Sequence, residues 1–212
     1  VDRALSGMDD VLACFPSVTW EEDRGRRNEM GIDTDRLVVH EPLGVVGAIS
    51  PWNVPLYVNV GKVIPALLAG CTVVLKPAPD TPVTAAFMGE LALEAGFPAG
   101  VFNVVSSADP VMAGETLVTD PRVDVISFTG STGVGKRIME KGAATLKRVF
   151  LELGGKSANI ILDDASDFAM SVMQSIVIFH AGQGCAIPTR LFVPRSRYEE
   201  ALKALEMAYA GF

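Results

Sequence analysis

The sequence predicts an α/β protein built on a parallel sheet, and three observations carry that prediction. From Pro42 onward, short runs rich in Val, Ile and Leu alternate with helix-length segments, which is how βαβ units read in sequence. Several of the runs are almost wholly apolar, as strands covered on both faces must be. Gly and Pro stand between the segments, where the chain has to turn.

The expected strands are 45–50, 72–76, 101–105, 123–128, 148–153, 159–162 and 191–193. Helical patterns fall at about 56–68, 82–95, 110–118, 134–141, 166–179 and 195–210, with Pro82 and Pro110 in first helical turns. Residues 20–36 break the pattern. Four Arg, no apolar periodicity and a turn-like Gly31-Ile32-Asp33 read equally well as a surface hairpin or as a solvated linker.

A chain of 212 residues that is 49% hydrophobic has ample material for a buried core. Its net charge of −7 argues against a nucleic-acid surface, which needs clustered Lys and Arg. Cys14, Cys71 and Cys185 are widely separated and form no metal-ligand spacing, so no metal site and no disulfide framework is expected. A reducing, cytoplasmic setting fits that usage. Asn59, Lys62 and Pro65 interrupt the most apolar stretch well short of the ~18 residues a membrane span requires, so no membrane partner is expected. The chain starts at Val1 without Met and ends in an amphipathic segment with no stop signal, so it reads as part of a longer protein.

One motif invites a nucleotide-hydrolase reading. Gly130 to Lys136 matches GxxxxGK between a strand and a helix, as a phosphate-cradling loop requires, and Asp163-Asp164 follow an apolar run as a magnesium-positioning acid would. The next residue, however, is Arg137, where a Ser or Thr hydroxyl should ligate magnesium. The dinucleotide pattern GxGxxG is not intact either. What remains is a Gly-rich turn with Ser131 and Thr132 as candidate N-caps, either a binder of an anion through backbone N–H groups or a tight turn with no ligand.

Three further segments carry chemistry. Asn53 stands between Pro51 and Pro55 in a stiff loop that can hold a carboxamide in fixed orientation. Glu152 ends an otherwise apolar strand, where desolvation would raise its pKa toward that of a general base; exposure at a sheet edge is the alternative. Cys185 lies in a Gly-flanked loop, Gly182-Gln183-Gly184-Cys185, accessible in a way that Cys14 and Cys71, in apolar surroundings, are not expected to be.

PWNVP from Pro51, KPAPDTP from Lys76, FTGST from Phe128, LELGGK from Leu151 and the GQGC…R run from Gly182 to Arg190 occur in this order, and together they closely resemble the aldehyde dehydrogenase superfamily. The resemblance covers essentially the whole chain, including a helix and a hairpin before Pro42. It implies a Rossmann-like, twisted parallel sheet in a cofactor domain over 1–154, incomplete at its N-terminus, with 20–42 belonging to an oligomerisation hairpin. Residues 155–212 would begin a second α/β domain, the catalytic one. Members are more than twice as long, so the isolated chain is expected to have little activity, and the full-length protein to be a homo-oligomer.

The resemblance further implies oxidation of an aldehyde to a carboxylic acid with NAD(P), through a thiohemiacetal and a thioester on Cys185. Asn53 would hold the oxyanion and Glu152 would activate the hydrolytic water, a residue that relatives passing the acyl group to coenzyme A lack. Ser50, Pro51, Trp52, Lys76, Pro79, Phe128, Gly130, Ser131, Gly135 and Leu153 would contact the cofactor. Pro79 stands where NAD-preferring relatives often carry Glu, so NAD is the favoured cofactor with NADP left open. Val54, Tyr57, Val58 and Gly61 would line the substrate tunnel, the small Gly61 leaving room for a bulky apolar aldehyde. The rival readings are a P-loop nucleotide hydrolase and a non-catalytic dinucleotide-binding relative.

Overall fold

The apolar runs that follow Pro42 pair side by side, because such strands gain stability only when both faces are covered. The computed structural model describes residues 1–175 and 179–211, which divide into two units, Val1–Leu151 and Glu152–Phe212. In chain order the elements are α1 (Asp2–Cys14), β1 (Glu21–Glu29), β2 (Ile32–Val39), β3 (Val45–Ile49), α2 (Pro55–Leu68), β4 (Thr72–Lys76), α3 (Val83–Glu94) and β5 (Phe102–Val104). There follow α4 (Pro110–Thr119), β6 (Val125–Gly130), α5 (Thr132–Gly142), β7 (Arg148–Leu153), β8 (Ser157–Ile160), α6 (Phe168–Met173), β9 (Pro188–Phe192) and α7 (Tyr198–Tyr209).

The main sheet runs β5-β4-β3-β6-β7, with β3 parallel to both β4 and β6, and β4 parallel to β5. The chain steps outward from β3 to β5 and then returns to the far side of β3 as β6. That reversal opens a crevice beyond the carboxyl ends of β3 and β6, the place where open α/β sheets bind ligands. Val46, Ala48, Val73, Leu75 and Val125 of the strands form the core with Val63, Cys71 and Ala85. The α/β fold class and the parallel sheet are as the sequence predicts.

Residues 20–36 resolve as a hairpin: β1 pairs antiparallel with β2 from Glu21↔Val39 to Glu29↔Ile32. The turn is Met30-Gly31, both at positive φ, one residue earlier than expected, because a two-residue hairpin turn of this hand needs two left-handed residues in succession. A bulge at Gly25 shifts the register. Cys14 corrects an expectation too: it lies exposed at the end of α1, whereas Cys71 is buried.

In the second unit, β8 and β9 pair in parallel, and α6 and α7 bury Phe168, Val172, Ala201 and Ala204 with Ile161. The Arg197 guanidinium lies 3.8 Å from the Phe168 ring centroid and donates to Glu200 and to the Asp163 carbonyl. The helix expected over 166–179 is shorter, since α6 ends at Met173 and Ser175 N–H donates to the Val172 carbonyl in a tighter turn. Residues 176–178 of that expectation lie outside the described residues. The strand expected over 123–128 starts later, because Val123 N–H closes a turn onto the Asp120 carbonyl.

Candidate active site

In the first unit, parallel register gathers the expected cofactor residues along one edge of the sheet. Ile49 at the end of β3 pairs with Lys76 and with Phe128, so the residues just beyond them emerge side by side. Ser50 follows β3 with its backbone N–H donating to the Lys76 carbonyl at 3.2 Å. Its side chain is buried, and Oγ has no hydrogen-bond partner. Pro51 is half-buried, Trp52 is 49% exposed, and Asn53 is half-buried on the bend that leads into α2.

The start of α2 carries Val54, Tyr57, Val58 and Gly61 at helical spacing. Tyr57 is exposed and its ring edge lies 3.6 Å from where Gly7 of α1 would carry a Cβ. A Cβ on Gly61 would meet nothing within 4 Å, so that face of the helix is open. Lys62 is a residue the sequence reading treated only as a break in hydropathy. Its ammonium donates to Ser127 Oγ at 2.9 Å, tying α2 to β6.

Lys76, the last residue of β4, is 5% exposed. Its ammonium donates to the Pro77 carbonyl at 2.9 Å, and burial pushes it below the usual lysine range. Beyond it opens a pocket of about 290 Å³, walled by Pro77, Ala78, Pro79 and Pro82 after β4 and by Ser106 and Ser107 after β5. No metal-holding group of three or more His, Cys, Asp or Glu occurs among the described residues.

Between β6 and α5 the connection is very short. Phe128 is buried, Gly130 closes the strand, and Ser131 is the N-cap, its Oγ accepting from Val134 N–H at 3.4 Å. Thr132 is the first helical residue rather than a cap. This geometry removes the P-loop reading: Thr132–Gly142 is helix, so no loop is left to wrap a phosphate, and Lys136 stands exposed within the helix. The first-turn N–H groups can still face an anion. Gly135 N–H donates to the Ser131 carbonyl, so Gly135 is not one of those donors; it is buried inside the helix.

In the second unit, pairing of β8 with β9 matches Ser157 to Pro188. That register sets the Gly154-Gly155-Lys156 turn beside the loop carrying Cys185: the Cys185 carbonyl lies 3.8 Å from where Gly155 would carry a Cβ, and Arg190 Nε donates to the Lys156 carbonyl at 2.8 Å. Gly184 is needed, since a Cβ there would lie 2.5 Å from the Ile187 side chain. Cys185 is half-buried and its thiol donates to the Glu152 carboxylate. That hydrogen bond, then burial, then the carboxylate's charge push the thiol above the usual cysteine range, while the backbone N–H groups of Cys185 and Ala186 act in the opposite sense.

Glu152 follows the second of its two readings: it is exposed, because β7 is the last strand of its sheet and its residues alternate between exposed and half-buried. Leu153 beside it is half-buried. An exposed carboxylate hydrogen-bonded to a thiol is a proton acceptor already within reach of a nucleophile.

The residues at the sheet edge fit a dinucleotide. They offer a buried unpartnered hydroxyl, a helix N-terminus and a pocket beyond β4, each on the carboxyl side of parallel strands. Among the described residues no helix is long and apolar enough to cross a membrane.

Comparison with known proteins agrees with this geometry. The model of the aldehyde dehydrogenase family matches residues 7–211. An aldehyde dehydrogenase of Enchytraeus buchholzi is 49% identical over 77% of the chain and 33% of its own length. The crystal structure of a Mycobacterium tuberculosis aldehyde dehydrogenase complexed with NAD+ superposes with a TM-score of 0.88 at 42% identity, covering 98% of this chain and 42% of that one. An E. coli NADP-dependent enzyme gives 0.87 at 39% identity, over 98% and 42%. The chain thus spans about a third of the length of that curated relative. With the family model matching nearly from end to end, the chain belongs to the aldehyde dehydrogenase family.

Proposed function

We propose that this chain supplies the nucleophile, the base and the cofactor cleft of an NAD(P)-dependent aldehyde dehydrogenase that forms a free carboxylic acid. The observation that carries the reading is the Cys185 thiol hydrogen-bonded to the Glu152 carboxylate in a glycine-flanked loop. Glu152 accepts the thiol proton as sulfur attacks the aldehyde carbon, so the nucleophile is activated only when substrate arrives. The oxyanion of the resulting thiohemiacetal is assigned to the Asn53 carboxamide and the Cys185 backbone N–H.

Bound NAD(P) supplies the hydride acceptor. The nucleotide is assigned to Ser50, Pro51, Trp52, Lys76, Pro79, Phe128, Gly130, Ser131, Gly135 and Leu153, with the Ser50 hydroxyl as a donor still to be satisfied. Glu152, once it has passed the thiol's proton to bulk water, takes a proton from the water that cleaves the acyl-cysteine thioester and returns it to the departing sulfur, releasing acid and thiol. A carboxylate already beside the sulfur is what favours hydrolysis over transfer to a second thiol. The open face at Tyr57 and Gly61 favours a bulky apolar aldehyde. The hairpin β1–β2, exposed along nearly all its length, is assigned as an arm for assembly into a homo-oligomer.

The test is trapping. At a pH high enough to ionise the thiol without a base, Glu152→Gln protein mixed with aldehyde and NAD is expected to accumulate an acyl mass on the Cys185 peptide that the unsubstituted protein clears and Cys185→Ala never gains. An absence of acyl-Cys185 in the Gln variant would overturn the proposal.

A further inference from the structure

The backbone at position 184 does not call for glycine. Gly182, two residues earlier in the same loop, sits at φ +75°, where a side chain is strained. Gly184 does not share that left-handed conformation. Space is what excludes a side chain there: a Cβ would lie 2.5 Å from both Cγ1 and Cδ1 of Ile187 and 3.6 Å from its Cβ. The Ile187 side chain therefore folds back onto Gly184 and closes an arc whose only other members are Cys185 and Ala186.

Ile187 is stiff in three ways. Its branched Cβ restricts χ1, and the Pro188 that follows keeps its backbone out of the helical region. Pro188 opens β9 and pairs with Ser157 of β8, so the side chain is carried by a strand. Among the described residues, those packed in part against the Phe168 core are Ala165, Met173, Leu191, Val193 and Leu205. Ile187, half-buried, is not one of them, and the contact it does make is with the loop.

The residues inside the arc carry the chemistry. The Cys185 thiol donates to the Glu152 carboxylate, and the N–H groups of Cys185 and Ala186 both act on the sulfur. The Cys185 carbonyl faces the turn that follows Glu152, 3.8 Å from where Gly155 would carry a Cβ. An arc of small residues with nothing seated on it could turn the sulfur away from the carboxylate, since Gly184 and Ala186 bring no side chain to resist. We propose that Ile187 is the positioning residue of the nucleophile: seated on Gly184, it fixes the arc so that the Cys185 sulfur stays at the Glu152 carboxylate. The inference rests on the dehydrogenase reading for what that pairing accomplishes, while the contact itself needs neither substrate nor cofactor.

The experiment is the rate of Cys185 alkylation against pH, followed on its own peptide with no aldehyde or NAD present. Ile187→Ala is expected to move the profile about one pH unit lower, as the sulfur leaves a negative neighbour. Ile187→Val keeps Cγ1 against Gly184 and should keep the profile of the unsubstituted protein. Gly184→Ala, whose new methyl drives Ile187 off, should shift the profile as Ile187→Ala does, and it supplies the same test if Ile187→Ala does not fold. In a Glu152→Gln background, Ile187→Ala should add no further shift. A profile that stays in place in both Ile187→Ala and Gly184→Ala overturns the inference. So does a shift of equal size in the Gln background, which would make Ile187 a packing residue only. Either result leaves the dehydrogenase reading standing. If Glu152→Gln alone leaves the profile in place, the pairing is absent and both readings fall.

Discussion

The Phe128 ring lies 2.5 Å from the point where Gly130 would carry a Cβ. Phe128 is buried, so a methyl group at 130 must displace either a packed ring or the turn into α5. Gly130→Ala is therefore expected to destabilise the protein by about 1–3 kcal/mol, the usual cost of overpacking, and to weaken nucleotide binding. Gly133, the second residue of the same helix, meets nothing within 4 Å. There Gly133→Ala is expected to stabilise by about 0.5–1 kcal/mol through helix propensity. Urea midpoints of the two variants measure the contrast, and equal shifts would remove the argument from the ring.

The Cys185–Glu152 hydrogen bond sets a pH dependence. Because the folded thiol pKa is raised, the protonated form is the one the fold favours. The stabilisation from this bond is present below the ordinary thiol pKa and is lost as pH rises through the raised one. Alkylation of Cys185, followed on its own peptide because Cys14 is exposed, is expected to rise only above the ordinary thiol range. Glu152→Gln removes the charge, and the rate profile should move to lower pH. A profile that stays in place would mean that the carboxylate does not govern the thiol.

Asn53 separates binding from chemistry. If its carboxamide acts on the oxyanion, Asn53→Ala should lower kcat by roughly 10²–10³-fold, as the loss of one such donor does. Alkylation of Cys185 and affinity for 5′-AMP should both be unchanged. A rise in KM with kcat intact would assign Asn53 to substrate binding instead.

Local pattern made much of this readable. β4 and β7 have the expected limits, Thr72–Lys76 and Arg148–Leu153, because their β-branched runs stop at Pro77 and at Gly154. Where tertiary contacts decide, pattern was silent. Periodicity says that Glu152 faces the side opposite Leu151 and Leu153, but not that β7 is an edge strand, so the sequence leaves desolvation and exposure both open where the carboxylate is exposed. Beyond the short α6, the Ser175 hydroxyl donates to the Ser171 carbonyl and accepts from Asn159, and the second is a contact no window over α6 contains. The pairing of Cys185 with Glu152 is non-local as well. It depends on the β8–β9 register, and in the sequence only the order of whole motifs hinted at it.

Lys147 tests whether a buried cation can be worth its desolvation. It is 9% exposed, and its ammonium donates to the carbonyls of Asp120 and Val123, which belong to the turn that delivers the chain into β6. Lys147→Met keeps the aliphatic stem and removes a buried charge, which by itself is favourable. It also strands the Val123 carbonyl, at about 1–3 kcal/mol for an unsatisfied group, while the Asp120 carbonyl keeps the Val123 N–H. With two charge-assisted bonds lost, the second effect should win, and the urea midpoint should fall. An unchanged or higher midpoint would show that the ammonium's desolvation cancels its bonds, and that the turn into β6 is held by backbone bonds such as Val123 N–H to the Asp120 carbonyl alone.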